Sequence, residues 1–224
     1  LEHRNIYYES SRGCPFSCAY CASRLLAPGF QQRPVAEVVD EITFYVNELS
    51  IRDIAFYDDA LLVNPENHIK PILRELASRK LALNLSTPNG LHANLIDEEL
   101  ARLMRAAGFS TLRLSLESVN PARIQDSCTK VTIGGFSRAV ANLSAAGYGR
   151  ASLEAYVLMG LPGQEPEEVE ETMQLVHREG VTIRLADFSP IPGTEYYRKA
   201  AESFGIDFSE PLLQNSSVLP YFVP

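Results

Sequence analysis

Short runs suited to strands alternate six times with longer amphipathic stretches between residue 5 and about residue 200. The strand candidates are Asn5 to Ser10, Asp53 to Tyr57, Ala82 to Ser86, Thr111 to Glu117, Ala151 to Met159 and Val181 to Ser189. Strands that alternate with helical patterns read as repeated βα units, and right-handed crossovers then make the strands parallel. The expected fold class is α/β, a partial (βα)6 barrel resembling a TIM barrel, with parallel strands inside and helices outside. Six units rather than eight leave a lateral gap.

The helices carry their own signals. After Pro34, a residue preorganised for a first turn, the positions Val35, Val38, Val39, Ile42, Tyr45, Val46 and Leu49 recur at helical spacing. A second helix spans about Pro65 to Ser78. A third begins after Asp97, which suits a cap, and ends at Gly108. Two helical pieces cover about 120–127 and 133–146, with Gly147 ending the second, and another lies in PEEVEETMQLVHREG. Residues 1–200 are read as one core barrel and 201–224 as an irregular C-terminal extension rich in proline. The chain does not begin with Met, and a fragment of a longer protein is expected.

Composition narrows the function classes. Of 224 residues, 46% are hydrophobic and 21% charged, which suits a globular domain with a real core. No apolar run reaches the roughly 20 residues that span a bilayer, and the first residues carry no secretory pattern. No membrane partner is expected. The net charge of −8 opposes a dedicated nucleic-acid binder, which would carry a basic surplus.

Three of the four cysteines lie within eight residues, in RGCPFSCAYC. A disulfide framework would spread its cysteines through a smaller secreted chain. Clustered thiols read instead as metal ligands in a reducing compartment, the cytoplasm. Three thiolates on one loop can hold three irons of a cubane and leave the fourth iron open. The rival is zinc, whose structural sites want four ligands. The fourth would be Cys128 or one of His3, His68, His92 and His177, none of which is paired at ligand spacing. The loop follows the first strand, at the end of a βα barrel where active sites form. Cys128 stands alone and reads as structural.

The spacing C-x-x-x-C-x-x-C, with Tyr20 before the third cysteine, resembles the radical S-adenosylmethionine (radical SAM) superfamily, over about residues 5–200. The resemblance implies that Cys14, Cys18 and Cys21 hold a 4Fe–4S cluster. It implies that the open iron chelates S-adenosylmethionine and that an external electron donor feeds the cluster. Reductive cleavage then gives a 5′-deoxyadenosyl radical, which abstracts hydrogen from a small-molecule substrate. Such cofactors supply the hard chemistry while the protein positions them.

The resemblance also assigns strand ends. Tyr20 would sit beside the adenine. The family's Gly-Gly-Glu, which binds the methionine amino group, is replaced by FYDDALLVN, so Asp58 or Asp59 would supply the carboxylate. The plain alternative is that one of them caps a turn. Ser86 and Glu117 match positions that bond the ribose or the methionine carboxyl end. For Glu117 the alternative is a salt bridge to Arg113 or Arg184. Gly160, in VLMGLPG, matches a contact to adenine. Arg184, if it points inward, could pair with the cofactor carboxylate. Asn89 and Gly90 would line substrate, and Lys130, Arg138 and His92 are further candidates near it. The paired aspartates resemble radical SAM proteins that also carry a cobalamin-binding domain, so cobalamin would enter through an additional domain outside this chain, for methylation. Two other readings compete: a methylthiotransferase of the same superfamily, and a non-catalytic iron–sulfur or zinc module.

Overall fold

The structure, a computed structural model, describes residues 5–126 and 131–215. Cys128 and Lys130 lie outside the described residues. The strands are β1 (Asn5–Tyr8), β2 (Ser11–Gly13), β3 (Phe30–Gln32), β4 (Asp53–Phe56), β5 (Asn84–Ser86), β6 (Leu91–His92), β7 (Phe109–Glu117), β8 (Leu153–Met159) and β9 (Thr182–Asp187). The helices are α1 (Ser23–Leu26), α2 (Val35–Leu49), α3 (Ile69–Ser78), α4 (Glu98–Ala107), α5 (Pro121–Asp126), α6 (Ile133–Ala145), α7 (Pro166–Arg178) and α8 (Glu195–Phe204).

Six strands form one parallel path in the order β1-β4-β5-β7-β8-β9, with β6 pairing alongside β7. This is the expected α/β architecture of parallel strands with helices. The edges β1 and β9 do not pair with each other. The sheet nevertheless curves. The Tyr196 amide of α8, which follows the last strand, donates to the Ala19 carbonyl in the loop after the first, at 3.0 Å. Ala19, Leu161, Phe188, Tyr196, Ala200 and Phe208 form a small apolar cluster across that junction.

Alternation along the strands decides which face is which. On β7, Leu112, Leu114 and Leu116 are fully buried beneath the helices, while Arg113, Ser115 and Glu117 take the opposite, inner face. The outer layer supplies Val39 and Ile42 from α2, Ile72 and Leu73 from α3, Leu100 and Met104 from α4, and Phe136 and Leu143 from α6. Each such side chain contributes about 1.5–3 kcal/mol by leaving water. The start of α4 is capped as its sequence implies: the Asp97 carboxylate accepts from the Leu100 amide at 2.7 Å.

Two features depart from the sequence reading. The residues flanking the cysteine loop form an antiparallel ladder, Ser11 with Gln32 and Gly13 with Phe30, which closes the loop at its root. Residues 91–92 add the short strand β6, which the sequence reading did not include. Both are too short to show period-two alternation in sequence. Among the described residues, no helix is long and apolar enough to cross a membrane.

Candidate functional site

Cys14, Cys18 and Cys21 sit on the loop between β2 and β3, at the C-terminal end of the barrel strands. All three are thiols rather than disulfides; Cys14 and Cys18 are buried and Cys21 is half-buried. Gly13 sets the entry to this loop. Its φ is +82°, and a Cβ there would stand 2.1 Å from the Gly29 carbonyl oxygen. Only glycine allows that approach. Phe16, between the first two cysteines, packs on the ring of His92 from β6 at 4.5 Å, which pins the loop to the barrel.

Among the described residues, no three His, Cys, Asp or Glu side chains converge on a point as a single ion requires. Zinc would need its sulfurs about 2.3 Å from one centre. Thiolates that each take a different iron of a cubane need no common point.

The two aspartates after β4 separate into different roles. Asp58 is buried, and its carboxylate accepts from the Ser10 amide (3.1 Å), the Ser10 hydroxyl (2.8 Å), the Ser11 amide (2.6 Å) and the Ser11 hydroxyl (2.6 Å). Burial still raises its pKa against those hydrogen bonds. His68 Nε2 lies 3.1 Å from the Ser10 hydroxyl, and burial lowers its pKa. Asp58 is thus an anchor joining β1, β4 and the start of α3. Asp59 is half-buried and accepts from the Ser23 hydroxyl at 3.0 Å. Ser23 in turn meets Cys21 Sγ, through its hydroxyl at 3.3 Å and its amide at 3.5 Å. Asp59 therefore stands one residue from the third thiol.

Glu117 ends β7 with φ at +71°, a left-handed conformation that costs a side-chain-bearing residue about 1–2 kcal/mol. Its Oε2 is sealed from solvent and has no hydrogen-bond partner. The Tyr20 hydroxyl is in the same condition. Burial, then the charges of Glu117 and Cys18, hold the Tyr20 phenol well above its ordinary pKa. The Tyr20 hydroxyl, the Glu117 carboxylate and Cys18 thus form one polar cluster sealed from solvent, an arrangement that is costly without good pairing. The salt bridge weighed for Glu117 is absent, since Arg113 and Arg184 pair with Glu154 instead.

The strain at Glu117 is held from behind. Ser118 donates to Glu168 Oε1 at 2.8 Å, and Arg123 grips the same carboxylate through Nε at 2.6 Å and Nη2 at 3.2 Å. Arg123 also donates to the carbonyls of Pro162 and Gly163 at 3.3 and 3.0 Å, fixing the turn after Gly160. Nothing in the sequence distinguished Arg123 and Glu168 from solvated helix charges.

The remaining candidates lie around this centre. Ser86 ends β5, half-buried. Gly160 is exposed with φ at +78°, and open space lies where its Cβ would be. Asn89 donates to the Tyr57 carbonyl at 2.8 Å, and Gly90 lies against Ser115 and Tyr156. Arg138 is on α6, in the outer layer, away from the inner face. Arg184 does point inward, but it lies three residues before the end of β9, about 10 Å below the rim.

The sequence matches the model of the radical SAM superfamily over residues 8–176. It is 28% identical over 195 residues to an uncharacterized methyltransferase of Pyrococcus horikoshii, covering 85% of this chain and 41% of that protein. The fold is similar to the radical S-adenosylmethionine methyltransferase TsrM of Kitasatospora setae, solved with tryptophan substrate and a SAM analogue. That likeness has a TM-score of 0.76 at 22% identity and covers 90% of this chain and 39% of that one. A second structure of the same enzyme, with cobalamin and a [4Fe-4S] cluster bound, gives a TM-score of 0.73 at 23% identity over 89% and 37% of the two chains. The chain thus spans about two-fifths of the length of the relatives it matches.

Proposed function

Because this chain belongs to the radical SAM superfamily, we propose that it is the catalytic core of an enzyme that cleaves S-adenosylmethionine reductively. Cys14, Cys18 and Cys21 hold three irons of a 4Fe–4S cluster, and the fourth iron takes the methionine end of S-adenosylmethionine. The chemistry such a group supplies when bound is one-electron cleavage of the sulfonium to a 5′-deoxyadenosyl radical that takes hydrogen from a substrate.

The chain's own residues bind and orient. Asp59 accepts from the methionine ammonium, because the Asp58 carboxylate is already taken by Ser10 and Ser11. Glu117 and Ser86 accept from ribose hydroxyls. Tyr20 and the backbone at Gly160 wall the adenine. The observation that carries this reading is the buried polar cluster of Tyr20 and Glu117 beside Cys18, at the C-terminal end of the barrel strands.

Methyl transfer with cobalamin, bound by a further domain, is the reading of the whole protein that the relatives support. The cofactor then needs an external electron donor, and the thiolates need a reducing compartment, the cytoplasm.

The test is anaerobic reconstitution with iron and sulfide, then reduction with S-adenosylmethionine present. Wild-type protein should release 5′-deoxyadenosine, and Cys18→Ala should release none. Uptake of a single zinc ion, with no iron and no binding of S-adenosylmethionine, would refute the proposal.

A further inference from the structure

Ser23 stands between the cysteine loop and the cleft at the strand ends. It opens the short helix α1 but does not cap it; Ala22 holds the cap position, with no side-chain bond. Cys21 Sγ donates to the Ser23 hydroxyl at 3.3 Å, and that hydroxyl donates on to Asp59 Oδ1 at 3.0 Å. The Ser23 amide lies 3.5 Å from the same sulfur. Among the described residues, Ser23 supplies the one hydrogen bond that Asp59 accepts. Asp59 itself lines a cleft with Phe16, Thr87, Asn89 and His92. The serine thus links a thiol on one side to a carboxylate facing that cleft on the other.

A serine hydroxyl has one proton to give. With Cys21 as a thiol the chain runs one way, from sulfur to hydroxyl to carboxylate. An iron-bound thiolate has no proton and only accepts, so Cys21 and Asp59 then compete for the proton of Ser23. A free carboxylate wins that contest, because its full charge stays on its oxygens while the thiolate shares its charge with the metal. A cation resting on Asp59 reverses the balance, since it neutralises the carboxylate and weakens its hold on the hydroxyl.

We propose that Ser23 is a positioning residue that couples the occupancy of Asp59 to the cluster: when an ammonium group rests on Asp59, the Ser23 hydroxyl turns to Cys21 Sγ and makes the cluster easier to reduce. Hydrogen bonds to the sulfurs stabilise the more negative, reduced cluster and so raise its potential. No bond breaks and no proton leaves the hydroxyl; the electron comes from the external donor. By linkage, reduction tightens the hold on the ligand by the same factor. The inference rests on the function proposed above, with Cys21 as a cluster ligand and Asp59 as the ammonium acceptor.

The test is a redox titration of the anaerobically reconstituted chain, read by the electron paramagnetic resonance of the reduced cluster, with and without S-adenosylhomocysteine. That thioether keeps the amino and carboxylate groups and lacks the sulfonium that reduction cleaves. In wild type it should raise the midpoint by the equivalent of at least about fivefold tighter binding to the reduced than to the oxidised cluster. Ser23→Ala should leave the ligand-free midpoint in place and lose most of the ligand-induced rise. Ser23→Thr keeps the hydroxyl and should restore that rise. Asp59→Asn should raise the ligand-free midpoint, and Ser23→Ala added to it should take back the hydroxyl's share, leaving the share due to the lost charge. Equal ligand-induced rises in wild type and Ser23→Ala, or an Asp59→Asn rise that Ser23→Ala does not diminish, would overturn the coupling. Those outcomes, in a chain that holds its cluster and binds S-adenosylhomocysteine, sink the role of Ser23 alone. A chain that takes up no 4Fe–4S cluster sinks the proposed function and the coupling with it.

Discussion

Glu117 shows how a single residue can be held in a costly state. It combines a left-handed backbone with a buried carboxylate oxygen that has no partner. Each is a stability cost of order 1–3 kcal/mol, and the Ser118–Glu168–Arg123 network keeps the residue in place. Glycine accepts that φ without strain and removes the orphaned oxygen. Glu117→Gly should therefore raise the thermal stability, by about 1 kcal/mol, while weakening S-adenosylmethionine binding at least tenfold. Thermal melting and equilibrium dialysis check the two halves separately. A variant that loses stability along with binding would mean that Glu117 is a structural residue.

At the scale of elements, α3 and α4 are joined by one buried cation. The Lys70 side chain is 2% exposed, and its ammonium meets Glu66, Asp97 at 2.7 Å and Glu99 at 3.0 Å. Asp97 serves twice, as the cap of α4 and as a partner of Lys70. Asp97→Ala should destabilise the protein by about 1–2 kcal/mol, read by urea unfolding. Asp97→Ser restores the cap but not the charge, and should recover about half of the loss. Full recovery by serine would assign the whole effect to the cap.

The molecule as a whole closes around the root of the cysteine loop, where Asp58, Ser10 and His68 join β1, β4 and α3. Burial lowers the pKa of His68, so the unfolded chain binds its proton first. The sign follows: stability is intact above the unfolded histidine value near 6.5 and falls as pH drops below it. The loss is up to about 1.4 kcal/mol per pH unit until the folded ring protonates. Melting curves between pH 7.5 and 5.5 should show a steeper loss in wild type than in His68→Gln. Equal slopes would assign the acid sensitivity elsewhere.

The parallel βα order was legible because apolar period, caps and turn residues are local signals, as at α2, Asp97 and Gly108. The cysteine spacing was legible because thiols so placed serve few purposes. The sequence determined the α/β fold class and the superfamily. Tertiary structure alone decided the division of labour between Asp58 and Asp59, which are adjacent and identical in type. One faces the amides at the end of β1 and the other faces Ser23 beside Cys21. It decided likewise that Arg113 and Arg184 pair with Glu154 and leave Glu117 alone. Such outcomes depend on the register between neighbouring strands. Charge pairing here reaches across 30 and 41 residues of chain, and no local pattern encodes which of several carboxylates a guanidinium will meet.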